Sequence, residues 1–196
     1  MKKGLITIIV LAVLALIVYV SVKGTYNEII AKDEAVTGAW SQVQNVYQRR
    51  ADLIPNLVAT VKGYAEHEQS TLEGVVEARS KATSINIDAS NLDAESLKKF
   101  QAAQDGLSSA LGRLIAVAEN YPDLKANQNF LDLQAQLEGT ENRITVERQK
   151  FNDTVKDYNT YIRTFPKNIY ASIFNFAPKA YFEASEGAEK APEVKF

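Results

Sequence analysis

Two polar runs interrupt otherwise apolar helical patterns in this 196-residue chain, and they are the first places where side chains could do chemistry. The first holds Arg49, Arg50, Asp52 and Asn56. The second holds Thr140, Glu141, Glu147 and Arg148, which flank Ile144 where a wide stripe would place apolar residues. A lone charge buried between helices costs several kcal/mol, so Arg50 calls for a carboxylate such as Glu141. Such matching layers serve one of three ends: an ion-pair layer that sets helix register, a binding or proton-handling pocket, or plain solvent exposure. The ion-pair layer (Arg49, Arg50, Asp52, Asn56, Glu141 and Arg148) is the simplest reading.

Other chemistry is scarce. The single histidine, His67, lies in Ala65-Glu66-His67-Glu68. A di-metal carboxylate bundle needs Glu-x-x-His on two helices. Here Tyr64 stands three residues before His67 and no second histidine exists, so this run reads as a solvated helix face. With no cysteine there is no disulfide, thiolate metal site or thiol nucleophile. Neither a nucleophile elbow, a zincin motif, a P-loop nor a dinucleotide fingerprint occurs. The chain is expected to be non-enzymatic, with no catalytic residue, metal or cofactor.

The remaining oddity is aromatic. Tyr158, Tyr161, Phe165, Tyr170, Phe174, Phe176, Tyr181 and Phe182 are eight of the chain's 18 aromatic residues. Either they fold back and complete the core at one end, or they form an exposed patch for self-association or the membrane interface.

These residues must be positioned by helices. Leu5 to Val22 is uncharged, flanked by Lys2, Lys3 and Lys23. As a helix it reaches roughly 27 Å, close to the ~30 Å hydrocarbon core of a bilayer. It is longer than a signal-peptide core and lacks a small-residue cleavage site, Val20-Ser21-Val22 being the best on offer, so residues 1–23 read as an uncleaved anchor. Lys2 and Lys3 favour an inside N terminus and an exported domain, although Lys23 and Lys32 nearly balance them. Three of the 22 basic residues and no acid fall in residues 1–23, so residues 24–196 hold 19 basic and 24 acidic side chains, net −5. That charge offers nucleic acid no basic patch.

Beyond the anchor, Tyr26, Ile29, Val36, Trp40, Val43, Tyr47, Ile54, Leu57, Val61 and Tyr64 follow steps of three and four, with Asp33 and Arg50 in the two remaining places. The pattern predicts one helix from about Thr25 to Ala82, kinked at Pro55 because the phase survives the proline, with a new helix start at Pro55 as the alternative. Ser84 to Asp93 is a loop in which Asp93 or Asn91 caps the next helix. That helix runs to about Asn120, with Leu97, Phe100, Leu107, Leu111, Leu114 and Ala118 on one face. The last helix runs from about Asn127 to Phe165. Phe130, Leu137, Ile144, Phe151, Tyr158 and Phe165 repeat every seventh residue, the signature of a left-handed supercoiled seam. Six glycines at helical positions (38, 63, 74, 106, 112 and 139) mark candidate close helix contacts. Residues 24–182 form the bundle and 183–196 a polar, frayed tail. Three long helices and a kink are what periodicity alone supports.

The motifs resemble the LemA family of bacterial membrane proteins: Trp40-Ser-Gln-Val-Gln, Arg49-Arg50-Ala-Asp52-Leu-Ile-Pro55-Asn56-Leu-Val, Glu119-Asn-Tyr121-Pro122-Asp-Leu124-Lys125-Ala126-Asn127, and Tyr158-Asn159 through Phe165-Pro166. The resemblance spans residue 1 to about Phe182. It implies an all-α fold, with a single-pass anchor and an antiparallel, up-and-down four-helix bundle in a bacterial inner membrane. The fourth helix comes from the resemblance. The functional expectation is a membrane-anchored scaffold or adaptor that binds protein partners or further copies of itself. The alternatives are a membrane-surface or membrane-remodelling protein, and a ligand sensor or enzyme using the polar layer.

Overall fold

The computed structural model describes residues 2–65, 67–89 and 92–183. The longest helix, α1, runs unbroken from Lys2 to Lys62. Its first part keeps every large apolar side chain from Leu5 to Val20 between 49% and 65% exposed. The same helix then enters the bundle and buries Ile29, Val36, Trp40, Val43, Tyr47, Ile54, Leu57 and Val61. One helix is therefore both candidate anchor and bundle wall.

Pro55 does not break α1. Proline lacks the N–H that would bond the carbonyl of Ala51. Arg79 supplies the missing donor from outside the helix, its Nε–H reaching the Ala51 oxygen at 2.7 Å. The chain reverses instead at residues 63–68, and α2 (Gln69–Ser84) runs back along α1. The expected helix through Ala82 is thus two antiparallel helices. Periodicity misses the turn because Ala65, Leu72, Val75, Arg79 and Ala82 keep the three-and-four spacing across it. Tyr64, counted in the seam, lies in this turn and is 43% exposed.

Helix α3 (Ala94–Ala118) is capped by Asp93, whose carboxylate accepts the Ser96 amide at 2.8 Å; Asn91, the other expected cap, lies outside the described residues. Pro122 begins a single turn, α4 (Pro122–Lys125), that leads into α5 (Gln128–Arg163), capped by the Asn127 side chain. A short α6 (Lys167–Ile173) follows. It ends in a Schellman motif: Asn175 takes φ 59°, and the Asn175 and Phe176 amides donate to the carbonyls of Ser172 and Ala171. The last described residues, 176–183, then run extended back along α5.

The long helices α1, α2, α3 and α5 form an up-down-up-down bundle, with α1 packed along α5 and α2 along α3. Among the described residues the fold is all-α. Of the six expected glycine contacts, those at 38, 74, 106, 112 and 139 are not close approaches, since a Cβ there would meet nothing within 4 Å. Gly63 instead opens the turn after α1. Phe165 does not extend the seam of α5. Thr164 leaves the helix with ψ 135°, and proline follows, so Phe165 falls out of phase and is 76% exposed.

Candidate functional site

The interior divides at Arg50, which α1 holds 2% exposed between two apolar clusters. Four of its five N–H donors are used. Nη1 donates to Ser108 Oγ at 2.8 Å and to Glu141 Oε2 at 2.9 Å. Nη2 donates to the Gln104 side-chain oxygen at 2.7 Å and its carbonyl at 3.2 Å. The Gln104 amide nitrogen continues to the Ala82 carbonyl. One guanidinium thereby ties α1 to α3 and α5 directly and to α2 through Gln104. Its plane also sits 5.1 Å over the Tyr47 ring, a favourable place for a cation. The Glu141 side chain is 53% exposed, so the pair is buried on the arginine side only.

The other expected members of the layer sit elsewhere. Arg49, Asp52 and Asn56 are exposed, because on a helix they lie off the face that carries Tyr47, Arg50, Ile54 and Leu57. Asp52 accepts from Gln48 one turn earlier. Arg148 is half-buried and stacks 4.6 Å over the Phe182 ring while donating to the Glu183 carbonyl. Glu66 lies outside the described residues, His67 is exposed, and Glu68 accepts from the Tyr121 hydroxyl. Gln104 and Ser108 were missed. The signal for Gln104 was present: it is a polar residue on the apolar face of α3, between Phe100 and Leu107.

The aromatic run splits in two. Its C-terminal part completes the core: Phe182 is 5% exposed and stacks on Trp40, 6.0 Å between ring centroids. Two asparagines hold this extended segment. Asn152 accepts from the Phe182 amide and donates to its carbonyl, and Asn159 does the same for Lys179. Seven residues of helix rise about 10.5 Å and three extended residues span about 10 Å, so the two amides match the strand's repeat. Lys179 also pairs with Asp33 at 3.1 Å. The Tyr158 hydroxyl donates to the Ala177 carbonyl, and burial pushes its pKa up to about 12. Tyr181 is 43% exposed, its hydroxyl taking a bond from Asn159. The N-terminal part is different. Tyr170 and Phe176 are half-buried, and Phe165 and Phe174 are exposed at the end where α1 leaves the bundle.

A helical bundle locked by an internal arginine and carried on an anchor-length apolar helix is the class of molecule this geometry defines: a membrane-associated helical protein. The chain belongs to the LemA family, whose model matches residues 39–196, beyond the point near Phe182 where the recognisable motifs stop. It is 27% identical over 163 residues to Protein LemA of Metamycoplasma hominis, covering 83% of this chain and 71% of that protein. It is 28% identical over 197 residues to Magnetosome protein MamQ 2 of Paramagnetospirillum magneticum, covering 92% of this chain and 72% of the relative. Magnetosome protein MamQ of Magnetospirillum gryphiswaldense is 26% identical over 190 residues, covering 88% and 70%.

Proposed function

We propose that this protein is a non-enzymatic, membrane-anchored scaffold: residues 1–23 hold it in a bacterial inner membrane, and residues 24–182 present a rigid bundle to protein partners or to further copies of the chain. The observation that carries this reading is the continuity of α1 from Lys2 to Lys62. A helix without a hinge transmits its direction, so the bundle projects from the bilayer as a stalk instead of trailing on a linker. The Arg50 layer supports it too: the arginine's bonds go to the protein's own side chains and backbone, which suits register setting better than ligand capture.

The test is affinity purification of the intact chain from membranes, with the stoichiometry of each complex measured by light scattering. A partner or a self-assembly at fixed stoichiometry is expected; recovery with lipid alone would refute the scaffold. We infer that the bundle lies on the exported side, the orientation that Lys2 and Lys3 favour. Because the chain has no cysteine, a single Val146→Cys variant, exposed on α5, checks this in intact cells. Labelling by a membrane-impermeant maleimide is expected, and protection until lysis would reverse the orientation.

A further inference from the structure

We propose that the membrane-proximal end of the bundle makes a second, peripheral contact with the bilayer, through Phe165, Ile169, Ile173 and Phe174 around α6. The inference rests on the anchor reading of residues 5–22 and goes beyond it, since an anchor alone leaves the bundle free to tilt and turn about its axis.

Depth comes first. Helix α1 does not break between Val22 and Tyr26, so Tyr26 stands about 6 Å beyond the last residue of the apolar stretch. The headgroup region adds about 5–8 Å to each side of the hydrocarbon core. Tyr26 packs edge-on against Phe174, ring centroids 4.9 Å apart, and against Phe176 at 5.7 Å. Phe174 therefore sits at headgroup depth. The end of α5 reaches the same level. Asp157 on α5 meets Lys32 on α1 at 2.7 Å. The two helices are antiparallel, so Arg163 and Tyr26, each six residues nearer the membrane, lie about 9 Å below that pair. Phe165 follows two residues after Arg163.

Exposure comes second. Phe165 is 76% exposed, Ile173 64%, Ile169 48% and Phe174 41%. These four large apolar side chains fall within ten residues, and Tyr26 and Ile30 on α1 add to the same end at 38% each. Elsewhere on the bundle, large exposed apolar residues such as Val76, Leu131 and Val146 lie far apart in the chain. Phenylalanine, tyrosine and isoleucine beside a membrane span suit the interfacial layer, where rings and aliphatic chains leave water without entering the hydrocarbon centre. The charges fit as well. Lys23 and Arg163 are exposed at this end, and Lys167 lies against the Tyr161 ring at 3.8 Å. These cations are placed to meet lipid phosphates while the apolar side chains point to the acyl boundary.

Full-length protein in nanodiscs, one chain per disc, tests the contact with an environment-sensitive fluorophore on single cysteines at Ile173→Cys and, independently, Phe165→Cys. The discs contain phosphatidylcholine and phosphatidylglycerol, with or without lipids brominated near the top of the acyl chain. Ile9→Cys marks the span, and Val146→Cys marks the middle of α5, about 25 Å along the helix from Arg163. Bromolipid is expected to quench the labels at 173 and 165 as clearly as the one at 9, leaving that at 146 unquenched. Quenching at 9 with none at 173 and 165 would overturn the second contact and leave the anchor standing. A blue-shifted label at 173 that bromolipid does not quench would show burial by protein and overturn it equally. No quenching at 9 would remove the anchor reading, and this inference with it.

Discussion

The two halves of the bundle solve the same packing problem with different materials. The distal half buries Ile54, Leu57, Val61, Leu72, Val75, Leu107, Leu111, Leu114 and Leu137 with four alanines and one aromatic residue, Phe130. The membrane-proximal half buries Trp40, Tyr47, Phe100, Phe151, Tyr158 and Phe182. The difference follows from the walls. Distally, four helices close on one another, and small aliphatic side chains fill the narrow space between them. Proximally, α2 has ended at Ser84 and α3 starts only at Ala94, so chain outside the long helices, residues 85–89 and 176–183 among those described, makes the missing wall. That chain stands off the helices, large rings fill the gap, and its backbone groups need side-chain partners. Trp40 serves both needs, donating from Nε1 to the Ile87 carbonyl while packing against Phe100, Phe151 and Phe182.

Trp40→Ala should break the proximal half hardest. It removes the central ring and leaves the Ile87 carbonyl only the longer bond from Gln44 Nε2 at 3.4 Å, and a loss of about 3–5 kcal/mol is expected from denaturant unfolding. Native-state hydrogen exchange sharpens the comparison. Protection should fall first over residues 176–183 while α2 and α3 keep theirs; uniform loss would show that the halves open as one unit. Arg50→Ala, at the boundary, should cost about 3 kcal/mol. Glu141→Gln should cost less, about 1–2 kcal/mol, because the amide oxygen can still accept from Nη1 and the site is half open to water on the Glu141 side. A Glu141 effect as large as that of Arg50 would mean the ion pair, and not Gln104 and Ser108, carries the layer.

Smaller effects probe how each half satisfies irregular backbone. Asn152→Ala and Asn159→Ala each remove a donor and an acceptor from the extended segment, and should cost about 1–3 kcal/mol apiece. Faster exchange at the Phe182 and Lys179 amides, respectively, is the specific signature; no change there would dissolve the strand-holding role. In the distal half, Arg79→Ala should cost about 1–2 kcal/mol by baring the Ala51 carbonyl. In a Pro55→Ala background the restored N–H makes Arg79 dispensable, so a double-mutant cycle should show coupling of similar size. Additive effects would rule out the exchange of one donor for another.

The smallest effect is one of pH. Tyr158 keeps its proton to about pH 12 in the folded protein, against about 10 when unfolded. Between those values the unfolded chain loses a proton that the folded one retains, so stability falls as pH rises. Below pH 10 the contribution is fully present. Tyr47, also raised by burial, adds to the slope. Tyr158→Phe should flatten the alkaline decline in melting temperature without abolishing it. An unchanged slope would place the loss in other groups.

Much was legible in the residues alone. The apolar stretch at 5–22, the seams of α1, α3 and α5, the capping aspartate and the isolation of Arg50 all follow from local spacing, because helical periodicity repeats within a few residues. The family motifs supplied the four-helix topology that spacing did not. Tertiary structure decided the rest. The reversal at residues 63–68 was invisible because the three-and-four rhythm survives it, and only packing of α2 on α1 distinguishes a hairpin from a rod. The partners that complete the molecule come from residues distant in sequence: Gln104 as acceptor for Arg50, Arg79 as donor to the carbonyl that Pro55 cannot satisfy, Asn152 and Asn159 as donor and acceptor for the extended segment. Periodicity reports which face of a helix avoids water. It carries no record of which distant group meets a buried polar atom, and that pairing is settled only when the helices assemble.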